Sequence, residues 1–500
     1  MAYSRPGVYI SERLLPAPLP AGVSANAAGA VVAPFAQGPE AVTLVTSWYE
    51  FTKYFGGYNA SYPATFQVAA FFSNGGRELY VKRVLAADSE AASVNIETSG
   101  DLVVATVTAK NAGTDGNNLR VVVTAGSVED TYTLTVYKES GVSGDVTDDI
   151  LLERYENVVF DDPTSSDYAE TVINLVSSQI EISSSAAGVP VSTTYPLVGG
   201  SNGATVVATD YTEYKGDDVT VFEDFSTLSR ALVIFLPAVQ SLASGQASVY
   251  DAATSWAEAN EGFVVIETDE SKTVAEAISF AGSLTDTSNG AVYYPWLYIS
   301  DPLGRSTSAL RKIGPSGSIA GLYLATDASR GVFKAPAGIS IPFQGAVAVE
   351  RNFSSSELDS MNASTSPVNP IRPIPGAGLS VMGARTLKQD GTANKYVNMR
   401  RSLIYIKKNL KNLTEFAIFE NNDERLWARI NTTLGSFLNE YRNQGGLRGA
   451  TAAQAYFVKC DSENNTAQQI QNGEVHIQVG VALQYPAEFI VIDLTQKTVN

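Results

Sequence analysis

Three carboxylates stand where a strand-end chemistry could be built. Glu267 and Asp269 follow the apolar run Gly262-Phe-Val-Val-Ile-Glu267, and Asp301 follows Ala291–Ile299. In an open α/β sheet, ligands gather outside the carboxyl ends of the strands. Carboxylates there can bind a metal or act as a general acid and base. No G-x-G-x-x-G accompanies them, so the reading favoured is solvated strand ends. Histidine chemistry rests on a single residue, His476, inside the alternating run Gly473–Ala482, where it reads as a strand residue. A Ser-His-Asp triad would need that histidine, and no G-x-S-x-G precedes it. Cys460 is the one cysteine, with no activating context in the sequence, and zinc sites built from Cys and His are excluded by count. The glycine-rich stretches Ala109–Leu119 and Leu197–Gly203 lack the Lys and Ser/Thr of a phosphate loop and read as turns. No catalytic, metal or cofactor-binding residues are assigned.

The elements around these residues say more. Five hundred residues with 44% hydrophobic and 10% aromatic content support two to four domains with real cores. The N-terminus has no apolar signal segment and no 18-residue apolar run occurs, so no membrane insertion is expected. A single cysteine fits synthesis in a reducing compartment. The charge is uneven: Lys and Arg against Asp and Glu balance at +2 over residues 1–87, -14 over 88–209, -9 over 210–380 and +3 over 381–500, for -18 overall. General binding of nucleic acid is not expected from so acidic a chain.

Prolines at 6, 16, 18 and 20 make residues 1–20 an extended arm, with Val8–Ser11 a short strand. Residues 21–87 read as a small α/β unit: strands Ala27–Pro34 and Ala41–Val45, a helix Trp48–Phe55 capped by Ser47, a helix Tyr62–Asn74 and a strand Leu79–Val84. From Asp88 to about Ala208 the chain is rich in Thr, Val, Ser, Gly and Asp. It reads as an inserted β domain (88–209) with strands at Leu102–Thr108, Leu119–Ala125, Tyr132–Tyr137 and Glu156–Phe160 and one helix, Asp167–Ser178. Residues 210–380 alternate strand and helix: Ala231–Leu236, Ala247–Asn260, Gly262–Glu267, Thr273–Leu284 and Ala291–Ile299, with a long polar loop over 352–378. Residues 381–484 hold two helices, and 485–500 a strand arm.

The first of those helices, about Asn398–Asn412, puts Met399, Leu403, Ile406 and Leu410 on one stripe. Arg400, Arg401, Lys407, Lys408 and Lys411 fall on another face with no acid between them, a candidate docking surface for an acidic partner. The second opens at Asn422-Asp423-Glu424 and repeats Leu426, Ile430, Leu434, Phe437, Leu438 and Tyr441 until Gly445-Gly446. Trp427 and Arg429 lie off that stripe and read as facing a neighbour or solvent.

Several motifs occur in order along the chain: Arg5-Pro-Gly-Val-Tyr-Ile-Ser-Glu12, Gly331-Val-Phe-Lys-Ala-Pro336, Gly383-Ala-Arg-Thr-Leu387, Lys395-Tyr-Val-Asn-Met-Arg-Arg401, Phe419-Glu-Asn-Asn-Asp-Glu-Arg-Leu-Trp427 and Gly446-Leu-Arg-Gly449. In this order and spacing they resemble the tail sheath proteins of contractile phages and related injection particles. The resemblance implies an α/β (α+β) multidomain chain. A sheath core domain is built from both chain ends, with an inserted, mostly β domain facing outward and extended terminal strand arms. It implies a structural subunit, not an enzyme, that forms stacked hexameric rings in a helical polymer around an inner tail tube protein. Baseplate and tail terminator proteins are further partners, and the location is a virion tail assembled in the bacterial host cytoplasm. Contraction would drive the tube through the host envelope. The arms expected to exchange between subunits are Pro6, Gly7, Val8, Tyr9 and Ile10 at one end and Glu488, Phe489, Ile490, Val491 and Ile492 at the other. The face of Arg400, Arg401, Lys407, Lys408 and Lys411 is the expected tube contact. Two other classes compete: an acidic α/β hydrolase-like enzyme using Glu267, Asp269 and Asp301, and a self-assembling capsid or surface-layer protein without a tube.

Overall fold

A computed structural model describes residues 27–139, 149–185, 188–214, 219–304, 306, 308–388, 390 and 392–488. The arm calls at Pro6–Ile10 and Phe489–Ile492 therefore lie outside the described residues.

The chain opens on β1 (Ala28–Ala33), β2 (Thr43–Val45), α1 (Trp48–Phe55), α2 (Ala64–Ser73) and β3 (Leu79–Arg83). Ser47 caps α1 as the sequence expects, its side chain accepting from Glu50 N, and Gly56 ends it with φ of +87°. An inserted β segment follows: β4 (Ser93–Glu97), β5 (Val103–Ala109), β6 (Leu119–Ala125), β7 (Tyr132–Lys138), β8 (Ile150–Val158), α3 (Ala169–Val176), β9 (Ile180–Ser184) and β10 (Thr194–Pro196). After α4 (Thr209–Thr212) strands and helices alternate as β11 (Leu232–Phe235), α5 (Gln246–Ala259), β12 (Phe263–Glu267), α6 (Val274–Ser283) and β13 (Gly290–Tyr294). Then come β14 (Leu297–Ser300), β15 (Leu310–Ile313), α7 (Ser316–Arg330), β16 (Ala346–Val349), α8 (Ser355–Ala363), β17 (Val368–Ile374) and β18 (Gly378–Val381). The last elements are α9 (Val397–Thr414), α10 (Glu424–Asn443), α11 (Ala452–Ala455), β19 (Tyr456–Lys459), α12 (Ala467–Gln471) and β20 (Gln478–Val481).

The centre is an eight-stranded sheet in the order β18-β17-β13-β12-β11-β1-β3-β2. Neighbours from β17 to β3 pair in parallel; only the outermost strands run antiparallel. Parallel strands need crossovers and are covered on both faces, so they read as continuous apolar runs. β1 shows it: every residue is buried, Val31 and Ala33 toward α1, α2 and α7, and Ala28, Ala30 and Val32 toward α5 and α6. α2 and α7 lie close because Gly317 and Gly321 carry no side chain. A Cβ at Gly317 would stand 2.3 Å from Gln67 O, and one at Gly321 would stand 2.4 Å from Phe71 O.

Two sequence expectations change here. Ala291–Ile299 is not one strand: it breaks at Pro295-Trp296 into β13 and β14, which belong to different sheets. The polar loop expected over 352–378 is instead α8 and β17. Ser354 and Glu357 form a capping box that starts α8, a signal hidden in a serine run. β17 tolerates Pro370 and Pro373 beside β18, the outermost strand of the sheet.

The inserted segment folds a β4-β5-β9 sheet and a β10-β6-β7-β8 sheet around its own apolar core. One side chain gathers most of its junction with the core. Arg83, at the end of β3 and 1% exposed, donates to the carbonyls of Phe35, Ala36 and Gly38 in the core and of Ala112 in the insertion, and to Asn202 Oδ1. Among the described residues no carboxylate forms a salt bridge with it; burial lowers its pKa, with the nearby charge of Glu40 opposing. Next to it, Lys82 pairs with Asp224, donates to Glu40 O and lies 4.1 Å above the Tyr214 ring. The two glycine-rich turns close on each other here, Asn117 exchanging hydrogen bonds with Gly200 at 2.9 and 2.7 Å. Replacing Arg83 by Met strands several buried carbonyls. We expect a loss of at least about 3 kcal/mol in urea unfolding and new proteolytic cleavage at the margins of 88–209; an unchanged midpoint and digestion pattern would show that Arg83 is dispensable.

Candidate assembly surfaces

The C-terminal unit is built from two amphipathic helices and a hairpin. On α9 the stripe Met399, Leu403, Ile406 and Leu410 packs toward α10, whose Leu438 and Tyr441 meet it. Asp423 caps α10 by accepting from Arg425 N and Leu426 N at 3.0 and 2.9 Å. Leu426, Ile430 and Leu434 pack with Cys460, and Ile470 of α12 with the loop residues Val475 and Ile477 covers them. That second layer also buries Trp427, whose indole donates to Asn422 Oδ1 at 2.9 Å. The expectation of an exposed Trp427 is thus corrected: helical period alone does not reveal a layer supplied by a later loop. Arg429 is exposed, 3.9 Å over the Phe416 ring.

The five-cation face divides. Arg401 is buried and donates from both terminal nitrogens to the Asp327 carboxylate on α7, at 2.9 Å for Nη1. Its guanidinium also lies 4.6 Å from the Tyr323 ring centroid, and the Tyr323 hydroxyl bonds that of Tyr293. Burial works against both charges. Mutual attraction still leaves Arg401 above its ordinary value, while burial leaves the Asp327 carboxyl raised. Arg401 is therefore withdrawn from the docking face: the acid that claims it lies on another helix, which the period of α9 cannot show. Arg400 and Lys408 are half-buried, and burial lowers both pKa values, opposed at Arg400 by the charges of Glu258 in the last turn of α5 and Glu261 just past it, and at Lys408 by Glu261 alone. Lys407 and Lys411 are exposed.

Of the arm residues, Glu488 is described. Its carboxylate accepts from Arg385 Nε and Nη2, both at 2.7 Å, and from Tyr396 Oη at 3.4 Å, all in its own subunit. The hairpin β19–β20 nearby is a two-stranded antiparallel sheet with no third strand among the described residues.

The three candidate carboxylates do not form one site. Glu267 is wholly buried, contrary to the solvated strand end expected. Its carboxylate accepts from Gln67 Nε2 and Ser316 N, each at 3.0 Å, and burial pushes its pKa up to about 7 against those bonds. The reason is local: α7 begins at Ser316 and seals the end of β12, and a Cβ at Gly314 would collide with Glu267 Oε2 at 2.2 Å. Asp269 pairs with Lys272 at 3.3 Å, and Asp301 with Arg311 across the β14–β15 pair at 2.9 Å. His476 lies in an exposed loop before β20, not in a strand, with its ring against Glu474 at 2.8 Å. Cys460 is buried, and burial raises its thiol pKa. Among the described residues no group of three or more His, Cys, Asp or Glu is placed to hold a metal.

The fold is thus a doubly covered α/β sheet with an inserted β unit and a helical C-terminal unit, and its distinctive features among the described residues are internal welds and outward charge. Residues 389–497 match the family model of the phage tail sheath C-terminal domain. The tail sheath protein of Vibrio phage KVP40 is 24% identical over 186 residues, 37% of this chain and 26% of that protein. The chain therefore matches about a quarter of that relative's length. In fold, it resembles the sheath of the extracellular contractile injection system PVC in its contracted state, with a TM-score of 0.56 at 22% identity over 99% of both chains. The contracted helical sheath of the anti-feeding prophage gives a TM-score of 0.58 at 21% identity over 99% of this chain and all of that one. The resemblance carried by the terminal motifs is thus met twice, in sequence at the C-terminus and in fold along the whole chain. These relatives and neighbours are sheath proteins, not enzymes.

Two expectations follow. Removing one partner of the Arg401–Asp327 pair leaves a buried charge: Arg401→Ala should lose about 3–5 kcal/mol in chemical unfolding, and Arg401→Met with Asp327→Leu far less. Equal losses would refute the pairing. The Glu267 carboxyl is held above its ordinary 4.5 in the fold, so the folded state binds the proton more tightly. The carboxyl's contribution to stability should therefore be fully present below about pH 4.5 and be lost as pH rises from there through about 7, by on the order of 3 kcal/mol. Glu267→Gln should flatten that slope in melting curves; an unaltered slope would place its cause elsewhere.

Proposed function

We propose that this chain is the subunit of a contractile tail sheath, which polymerises around an inner tube and shortens to drive that tube through a host envelope. The observation that carries the reading is the agreement in fold over 99% of the chain with two contractile sheaths in their contracted state. An open helical polymer needs heterologous contacts, in which different patches meet. The open edges of β19–β20 suit strand addition by the terminal segments Arg5–Glu12 and Ala487–Gln496 of neighbouring subunits, with main-chain hydrogen bonds giving the affinity. A two-stranded sheet is marginal alone and gains from such strands. Lys407 and Lys411, with Arg400 and Lys408 behind them, form the tube-facing contact. Exposed charges bind weakly and part readily, as a sliding contact must. The insertion, with its balance of -14 over residues 88–209, faces outward and keeps a long polymer soluble. Baseplate and tail terminator proteins cap the two ends of the polymer, and the assembled particle is a virion or injection-particle tail put together in bacterial cytoplasm. The hydrolase-like alternative loses its constellation, since Glu267 is sealed and Asp269 and Asp301 are each paired elsewhere.

Negative-stain microscopy of the purified full chain beside a chain lacking residues 1–12 tests the reading. Hollow striated cylinders from the first and unassembled subunits from the second are expected. Small discrete particles from both would contradict it. Lys407→Glu with Lys411→Glu should leave the cylinders intact and reduce tube retention by about tenfold at moderate salt.

A further inference from the structure

The turn between α9 and α10 carries an apolar knob that the described residues of its own subunit leave bare. Phe419 is exposed to 105% of the reference area and Ile418 to 66%. Phe419 holds φ of +65°, a left-handed conformation that bulky L residues rarely adopt. The turn is fastened on both sides. Ile418 N–H donates to Glu415 O and Glu420 N–H to Ala417 O. Asn422 donates to Glu474 O at 2.8 Å and accepts from the Trp427 indole at 2.9 Å. A large aromatic held out by a fixed turn loses little freedom on docking and is the kind of residue that anchors interfaces. Exposed carboxylates surround it: Glu415, Glu420 and Glu424.

The far end of α10 has the opposite character. Arg442 sits in its last turn, and Arg448 follows, exposed, with its N–H on Ala482 O. Phe333 packs edge-on against Tyr441, 5.9 Å between centroids, and brings Arg330 and Lys334 to the same end. The Lys334 pKa is lowered by burial and by the nearby charge of Arg330. Phe333 and Gly446 both pack on Tyr441, so the motifs at Gly331–Pro336 and Gly446–Gly449 meet at this end of α10, in a patch where four cations outnumber the exposed acid Glu440 of its last turn. α10 has 20 residues, a rise of about 30 Å, so knob and patch cannot meet within one subunit.

We propose that the Glu415–Glu424 turn of one subunit docks head to tail on the basic end of α10 in a second copy, with Phe419 against Arg442 and Arg448 and the carboxylates facing Arg330 and Lys334. Guanidinium groups over an aromatic face supply the cation–π attraction this pairing uses. A copy is the fitting partner because most of this chain is acidic and repels the knob, while Arg442 and Arg448 lie in a region of positive balance, residues 381–500, with Arg330 and Lys334 in the motif packed beside them. Distinct patches that pair heterologously repeat without closing, which yields a polymer. The inference rests on the polymer reading above and names one of its contacts.

The test uses the full chain, sedimentation and negative stain, with circular dichroism to confirm folding. Phe419→Ser, and separately Glu420→Arg with Glu424→Arg, should each cut assembly by about tenfold or more near the midpoint concentration. Adding Arg330→Glu and Lys334→Glu, the cations that face these carboxylates, to the charge-reversed chain should restore it, since every subunit then carries both swapped patches. Wild-type assembly from both single-patch variants, or a loss the compensating pair does not repair, overturns the contact. Normal cylinders that fail to hold purified inner tube would assign the knob to the tube and overturn it as well. A wild-type chain that never polymerises overturns the sheath reading and this contact together.

Discussion

The buried pair of Arg401 and Asp327 is the joint on which the rest of the structure depends. It ties α9, the first helix of the C-terminal unit, to α7, which covers the central sheet. A buried ion pair is a poor source of net stability compared with well-packed apolar side chains, but it is severe in what it forbids. Either charge alone in that interior is so costly that the two helices cannot separate without unfolding. The stack of Arg401 on Tyr323, and Tyr323 on Tyr293, extends the joint into the strand β13. The C-terminal unit and the α/β unit are thus tied core to core. In the proposed sheath, movement between subunits would be taken up in the segments that leave this joint.

The insertion is attached by a different physics. Arg83 is buried with no carboxylate in a salt bridge to it among the described residues and is satisfied instead by carbonyl dipoles from both sides of the junction. Neutral acceptors fix position without a counter-charge, and several from separate loops fix orientation too. The arm root uses a third device, the half-buried Arg385–Glu488 pair, which sets where the C-terminal segment departs. Surface charge then does what interior charge cannot. Lys407 and Lys411 stay free in water, where pairing is weak and reversible, while their helical neighbour Arg401 is committed.

Much of the framework was legible from the chain alone. Ser47, Asp423 and the apolar runs at Leu232–Phe235 and Phe263–Glu267 announce their elements, because caps and buried strands are local signals. The motif order pointed to the sheath resemblance. What could not be read was set by partners distant in sequence. Arg401 looks like Lys408 on a helical projection until Asp327, 74 residues away, claims it. Glu267 looks like a strand-end acid until Ser316 closes over it, and Trp427 looks exposed until the loop before β20 covers it. Arg83 carried no signal beyond a basic residue ending a strand. The 352–378 stretch was misread for the opposite reason: its capping box was local, but serine and proline content masked it.

The most direct measurement is a pair of helical reconstructions of the assembled particle, before and after contraction. The account predicts that α9 and α7 superpose between the two states with Arg401 still on Asp327, and that the change in subunit orientation is taken up in the terminal segments before Ala28 and after Glu488. An α9 that parts from α7, or a pair that breaks while the subunit stays folded, would contradict it.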